Sequence, residues 1–309
     1  MKNLAPIALS AYSRLEHLKK TVETLKNNYL AKESQLYVFS DAPKKGDENK
    51  VKKVREYLPT IEGFKEVIVF YRKKNSIKEN NRGGIKYLLD SFGKCIFLEE
   101  DIVTAPGFLI FMNEALDLYK NNKNIFSVTG YSPPIKIPKD YNDQVFRLNR
   151  FNAWGMGIWK DRYDSIKDIN YKEYQKFIKQ GTKVRSFKQK AGEDFLLMLQ
   201  KEAKGDLDAL DVRSTYKELN DNLYTVYPRE SLVKNIGHDG SGLHCKVNSK
   251  FDVELWDKIN FNLPKNPKLD KRIVKSNYKF RKIPVRWKFS LFLKNLGVHS
   301  ILKSLINKN

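Results

Sequence analysis

The sequence predicts an α/β fold, a mostly parallel sheet flanked by helices and followed by a C-terminal helical tail. Over the first hundred residues, short apolar runs alternate with segments of helical period. Three carboxylates, Glu99-Glu100-Asp101, stand directly after the apolar run Cys95-Ile96-Phe97-Leu98. Polar residues also gather after the first and second apolar runs, at the carboxyl strand ends where open α/β sheets place ligands.

Pro6-Ile7-Ala8-Leu9 reads as the first strand, and Leu15, Leu18, Val22, Leu25 and Tyr29 then recur at helical spacing. Ser13 and Glu16 have the spacing of a capping box at that helix start. Leu36-Tyr37-Val38-Phe39 is a second strand, and Val51, Val54 and Leu58 mark a second helix. Val67-Ile68-Val69-Phe70 is a third strand, and Ile85 to Leu89 a helical stretch leading into the Cys95 strand. A β-α-β-α-β-α-β order implies right-handed crossovers and a nucleotide-binding type of architecture. The expected division is a nucleotide-binding half over 1–130, an acceptor or catalytic half over 131–262, and a basic tail over 263–309.

The chain has 309 residues, 41% of them hydrophobic and 12% aromatic, enough for a real core. Cys95 and Cys245 lie far apart, so neither a disulfide framework nor a zinc spacing is visible. The chain opens without a long apolar segment, and a cytoplasmic protein without signal peptide or membrane span is expected. The formal charge is +22, but Lys265 to Asn309 alone holds thirteen lysines and arginines against one acidic residue, Asp270. A basic tail favours anionic membranes, RNA or acidic partners, and charge alone does not choose among them.

Oxygen ligands such as Glu99, Glu100 and Asp101 suit hard ions, Mn²⁺ or Mg²⁺, which in turn carry phosphate groups that bare carboxylates would repel. An acidic turn facing water is the plainer alternative. Arg14 falls at a helix N-terminus, where an anion is favoured, and Asp41 follows the second strand in Ser40-Asp41-Ala42-Pro43. Phe151, Trp154 and Trp159 cluster around Gly155 and Gly157, a pattern that suits a sugar platform or ordinary packing. Glu193-Asp194 opens the apolar helix of Phe195, Leu196 and Leu199, where capping is the simplest role. Asn235 to His244 sets three glycines among His, Asp and Ser, a loop whose amides and imidazoles can meet phosphate or metal, with His244 expected beside Asp101 at the metal.

The segment Glu99 to Phe108, together with Tyr227 to Cys245, resembles N-acetylglucosaminyltransferase type I and a related group of bacterial sugar transferases, from Ala5 to about Cys245. That resemblance implies an inverting enzyme of the glycosyltransferase A fold, using a nucleotide sugar and Mn²⁺. It implies Asp101 as the metal ligand and Glu100 facing the donor ribose, at a position where the family has Asp, with Glu99 beside them on the donor side. It places Arg14 near the donor phosphates, Asp41 at the base, and Asn81 or Arg82 at a further base contact. Asp194 matches the catalytic base, with Glu193 as its substitute.

The expected function is transfer of a sugar to a glycan or lipid-linked glycan acceptor in bacterial surface polysaccharide or lipopolysaccharide synthesis. Phe289, Phe292, Leu293 and Leu296, then Val298, Ile301, Leu302 and Leu305, repeat at helical spacing beside Trp287. Such basic amphipathic stretches fit an anchor on the anionic inner face of the cell membrane, or docking on the body. A sugar nucleotidyltransferase is the alternative enzyme, although Ser10-Ala11-Tyr12-Ser13-Arg14 lacks the glycines such an enzyme carries there. A non-enzymatic RNA- or membrane-binding basic protein is the alternative outside enzymes; nucleic acid is not expected, because an acidic trio repels phosphate unless a cation intervenes.

Overall fold

A computed structural model describes residues 3–240 and 249–284. His244 and Cys245, and the amphipathic repeats after Trp287, lie outside the described residues. The first half alternates as expected: β1 (Ile7–Ala11), α1 (Leu15–Lys26), β2 (Gln35–Ser40), α2 (Glu48–Tyr57), β3 (Glu66–Tyr71), α3 (Ile77–Phe92) and β4 (Lys94–Glu99). Then come β5 (Ile102–Thr104), α4 (Phe108–Tyr119), β6 (Ile125–Thr129), β7 (Val145–Leu148) and β8 (Met156–Trp159). Helices α5 (Lys160–Asp164), α6 (Tyr171–Ile178), α7 (Gly181–Ala191), α8 (Glu193–Lys204) and α9 (Leu210–Asp221) follow. β9 (Tyr224–Pro228), β10 (Val233–Asn235) and α10 (Lys271–Phe280) complete the described order.

Eight strands form one mixed, mostly parallel sheet in the order β3-β2-β1-β4-β8-β6-β9-β7. β3, β2, β1 and β4 run parallel, β8 runs antiparallel to both β4 and β6, β9 is parallel to β6, and β7 is antiparallel to β9. β1 sits centrally, and four of its five residues are buried, which is why it reads as a short continuous apolar run. β5 leaves this sheet to pair antiparallel with β10, Val103 opposite Lys234, so the loop after β10 folds back over the carboxyl end of β4.

Apolar cores lie on both faces of the sheet. Leu18, Val22 and Leu25 of α1 pack with Phe108, Phe111, Met112 and Tyr119 of α4 on one face; Ile85, Leu88 and Leu89 of α3 pack on the other. A third core, including Tyr174, Phe177, Phe187, Phe195, Leu199 and Val212, knits α6 to α9 into a helical layer of its own. The chain after Phe251 straps across α4. Phe261 stacks edge-on to Phe111 at 5.2 Å, and the Tyr119 hydroxyl donates to the Pro264 carbonyl at 2.8 Å. A Cβ on Gly107 would sit 1.9 Å from the Lys258 carbonyl oxygen, so that crossing requires glycine.

Two local expectations change. α1 is capped at Arg14 without a side-chain bond, one residue later than the Ser13 capping box, so the serine precedes the cap and cannot serve it. α3 begins at Ile77, where the Ser76 hydroxyl accepts from the Glu79 amide at 3.2 Å; its first two turns hide Asn80 and Gly84 inward, which apolar periodicity does not register. Gly157, next to Trp159, meets Met112 and Leu116 of α4, and the Trp159 indole donates to the Leu116 carbonyl, so this tryptophan is packing.

Candidate functional site

The carboxyl ends of β1 and β4 are adjacent, since Ser10 pairs with Glu99 in register. The turns leaving them therefore meet. Arg14, at the mouth of α1, donates from Nε to Glu100 Oε1 at 2.8 Å and from Nη2 to Asp101 Oδ2 at 2.9 Å. The second Glu100 oxygen accepts from the Tyr12 amide, and the Thr21 hydroxyl binds the Glu100 carbonyl at 2.9 Å. Both Glu100 oxygens thus hold the β1–α1 turn.

Asp101 differs. Only 7% exposed, it gives Oδ2 to Arg14, while its buried Oδ1 has no hydrogen-bond partner among the described residues. A carboxylate oxygen taken from water without a donor is costly. The loop after β10 closes over it: the Ile236 amide donates to the Asp101 carbonyl at 2.9 Å and Gly237 donates to Asn235 Oδ1 at 2.8 Å. A Cβ on Gly237 would lie 2.1 Å from Asp101 Oδ2 and 2.7 Å from Arg14 Nη1. The same loop is tied to α1 by His17 and Asp239 at 3.1 Å. His238 lies between Trp154, at 5.3 Å between ring centroids, and Phe251, at 5.7 Å; its buried Nδ1 has no partner among the described residues.

Glu99 completes the acidic end. Asn81 donates to it at 3.4 Å, Ser10 donates to Asn81 at 2.5 Å, and Asn80 holds Ser10 at 3.1 Å. Burial, with the charges of Asp101 and Asp211, pushes the Glu99 carboxyl up to about 8. Burial also raises Glu100, with Arg14 pulling it back. Against burial, Asp101 and Glu100 fix the charge on Arg14. The acidic trio is therefore neither a solvated turn nor three equivalent carboxylates.

Other expected residues are engaged in contacts of their own. Asp41 is 4% exposed and fully engaged, accepting from the amides of Ala42 and Ser76 and from Asn75 Nδ2 at 2.9 to 3.1 Å, so it holds the turn before α3. Arg82 pairs with Asp208 and reaches Asp168 at 3.8 Å, joining α3 to the helical layer. Glu193 is buried, paired with Lys188 at 3.2 Å and accepting from the Ile283 amide at 3.0 Å, a structural arrangement. Asp194 receives Arg150 on both oxygens, at 3.1 and 3.0 Å, and Arg281 at 3.5 Å. Although burial opposes it, Arg150 and Arg281 hold Asp194 below the usual carboxylate range.

Asp211, in the first turn of α9, escaped the sequence reading. It accepts from the Ala153 amide, and burial pushes it up to about 6 while Arg150 pulls the other way. It is near enough to Glu99 to raise it. In Asp206-Leu207-Asp208-Ala209-Leu210-Asp211 it looks like one more acid at a helix start, and nothing in the spacing marks it.

No protein-family model and no curated protein matches the chain. Among solved structures it is similar to GalNAc-T7 with UDP, GalNAc and Mn²⁺ (11% identical, 74% of this chain and 43% of that one, TM-score 0.45). It is similar to the mannosyltransferase PcManGT from Pyrobaculum calidifontis in complex with GDP-Man and Mn²⁺ (11%, 70% and 69%, TM-score 0.39). It is also similar to S. aureus TarS (11%, 47% of this chain, TM-score 0.32), of whose length it spans 25%. Scores this low leave the function of the chain to its own residues. Among the described residues no group of three or more His, Cys, Asp and Glu side chains gathers to hold a metal ion; the one feature there that suits a hard cation is Asp101 Oδ1, a buried carboxylate oxygen without a donor among the described residues.

Proposed function

We propose that this chain is an inverting, metal-dependent glycosyltransferase of the glycosyltransferase A architecture. It moves a sugar from a nucleotide-sugar donor to a hydroxyl of a glycan acceptor. The observation that carries this reading is Asp101: buried at the carboxyl end of a central parallel strand, with one oxygen on Arg14 and the other without a partner among the described residues. Mn²⁺ or Mg²⁺ bound there supplies positive charge to a diphosphate leaving group.

Arg14 stands beside that position with its charge fixed by Glu100 and Asp101, so a donor phosphate meets a preorganised cation. The loop 236–240 packs over this end, with the His238 ring edge-on to Trp154, an aromatic residue that a sugar ring can pack against. In the transfer, the acceptor oxygen forms a bond to the anomeric carbon as the carbon–oxygen bond to phosphate breaks. Its electron pair leaves on the diphosphate, and the acceptor proton passes to a carboxylate. Asp211 suits that base better than Asp194. It stands on the Glu99 side with its carboxyl pushed up to about 6 by burial, whereas Asp194 has both oxygens occupied by guanidiniums that lower its basicity. A bacterial surface glycan, lipid-linked and reached through the basic tail at an anionic membrane, is the acceptor that best explains the charge of Lys265 to Asn309. Among the described residues no helix is long and apolar enough to cross a membrane.

Calorimetric titration of UDP- and GDP-sugars with and without Mn²⁺ tests the reading. Binding is expected only with metal and is lost in Asp101→Asn; metal-independent binding, or full affinity in that variant, refutes it.

A further inference from the structure

β3 ends the eight-stranded sheet, and among the described residues no strand pairs with its outer edge. Proteins blunt such an edge with a charge, a proline or a bulge, because its unpaired amides and carbonyls template the addition of another strand. Glu66-Val67-Ile68-Val69-Phe70-Tyr71 has none of these between its ends, and its register with β2 runs unbroken over all six residues. Val67 to Phe70 are half-buried, and Tyr71 is 46% exposed. Tyr87 and Phe92 of α3, 46% and 42% exposed, continue the apolar face: the Tyr87 ring stands 5.0 Å from Phe70, and Phe92 stands 5.8 Å from Tyr37 of β2.

The outward backbone groups belong to alternate residues. The Arg72 amide donates to the Ser40 carbonyl at 2.9 Å, and Ser40 lies opposite Tyr71 in a parallel ladder. Counting back by twos, Glu66, Ile68 and Phe70 turn their amides and carbonyls to β2, whereas Val67, Val69 and Tyr71 turn theirs outward. A second copy of β3, antiparallel about a two-fold axis at Val69, brings these three into register: Val69 meets Val69, and Val67 meets the partner's Tyr71. On the α3 face the same register sets Ile68 against the partner's Phe70 and Glu66 against the partner's Arg72, twice by symmetry. Sliding two residues either way leaves Arg72 opposite Phe64 or Ile68 and loses the Glu66–Arg72 pairs, and sliding by one sets outward groups against inward ones. Glu66 is exposed, and the Arg72 guanidinium rests over the Phe39 ring at 5.6 Å, in the layer that holds Ile68 and Phe70. Lys65 and Lys73 fall in the bends outside the strand.

We propose that the outer edge of β3 is the interface for a second copy of this chain, joining the two eight-stranded sheets into one through antiparallel β3 strands. Hydrogen bonding, apolar contact and charge are self-complementary together only in that register. A seam of one strand with its bordering rings is a small interface, which fits a dimer of about micromolar strength. The inference uses none of the residues assigned to the donor and stands apart from the transferase reading.

The test is sedimentation velocity of the full-length protein over about 1–100 µM at about 0.15 M salt, where repulsion between bodies of charge +22 is screened beyond about 8 Å. A concentration-dependent monomer–dimer equilibrium is expected. It should be about ten-fold weaker in Glu66→Arg and in Arg72→Glu, each of which sets like charges opposite one another across the axis. Mixing the two variants restores opposite charges at both positions, so a heterodimer of about wild-type strength is expected, reported by a fluorescent label on one variant. A loss caused by misfolding would not recover on mixing. Thermal unfolding checks each variant, and Arg72→Gln replaces Arg72→Glu if the latter does not fold. A wild-type monomer across the whole range, a dimer of unchanged strength in Glu66→Arg, or no gain on mixing each overturns the interface.

Discussion

Replacing Gly237 by alanine probes the closure over Asp101 with a single methyl group. The new Cβ would stand 2.1 Å from Asp101 Oδ2 and 2.7 Å from Arg14 Nη1, both far inside van der Waals contact. Gly237 does not need a left-handed backbone, so the effect is purely steric. Either Asp101 swings away from Arg14 or the loop lifts, giving up the Ile236 bond to the Asp101 carbonyl. Overpacking of this kind costs about 1–3 kcal/mol, a fall in Tm of several degrees. Loss of the charge-assisted Arg14–Asp101 bond adds a functional cost of about 1.5–3 kcal/mol, or about 10–100-fold in affinity for a metal–nucleotide complex. Differential scanning calorimetry and titration of UDP and GDP with Mn²⁺ read the two effects separately. A variant with wild-type Tm and wild-type affinity would show that the loop does not close on the carboxylate.

Asp211→Asn should keep donor binding and Tm while turnover falls about 10²–10⁴-fold, and the wild-type rate should rise with pH to a plateau above about 6, where Asp211 is ionised. Full turnover in that variant would return the base to Asp194. Asp194→Asn instead leaves Arg150 and Arg281 without their counter-charge, at a cost of about 3 kcal/mol in chemical denaturation; unchanged stability would mean that the guanidiniums have another partner. Glu218 is fully buried, and its carboxyl, accepting from Thr225, is raised well above 4.5. Its folded pKa exceeds the unfolded one, so the wild-type protein loses stability as pH rises from about 4.5 toward the folded value, by up to about 1.4 kcal/mol per pH unit. Glu218→Gln should flatten that slope above about pH 4.5, measured by urea unfolding, and an unaltered slope would mean that Glu218 has no raised pKa in the fold.

The sequence by itself determined the alternating first half, the parallel strands and the position of Glu99-Glu100-Asp101 at a strand end. Burial on both faces forces continuous apolar runs, and the chain must turn polar where a strand leaves the core. It also marked Arg14 at the entrance to α1 and the glycine-rich loop after β10. Only the tertiary structure decided what each carboxylate does. Glu100 became a brace for the β1–α1 turn, Asp101 kept one oxygen without a donor among the described residues, Asp41 and Glu193 were spent on local amides, and Asp194 was taken by arginines. Asp211 came to the crevice from more than a hundred residues away. A carboxylate is the same letter in every case, and its role follows from which donors, cations and solvent the fold brings within a few ångströms of it.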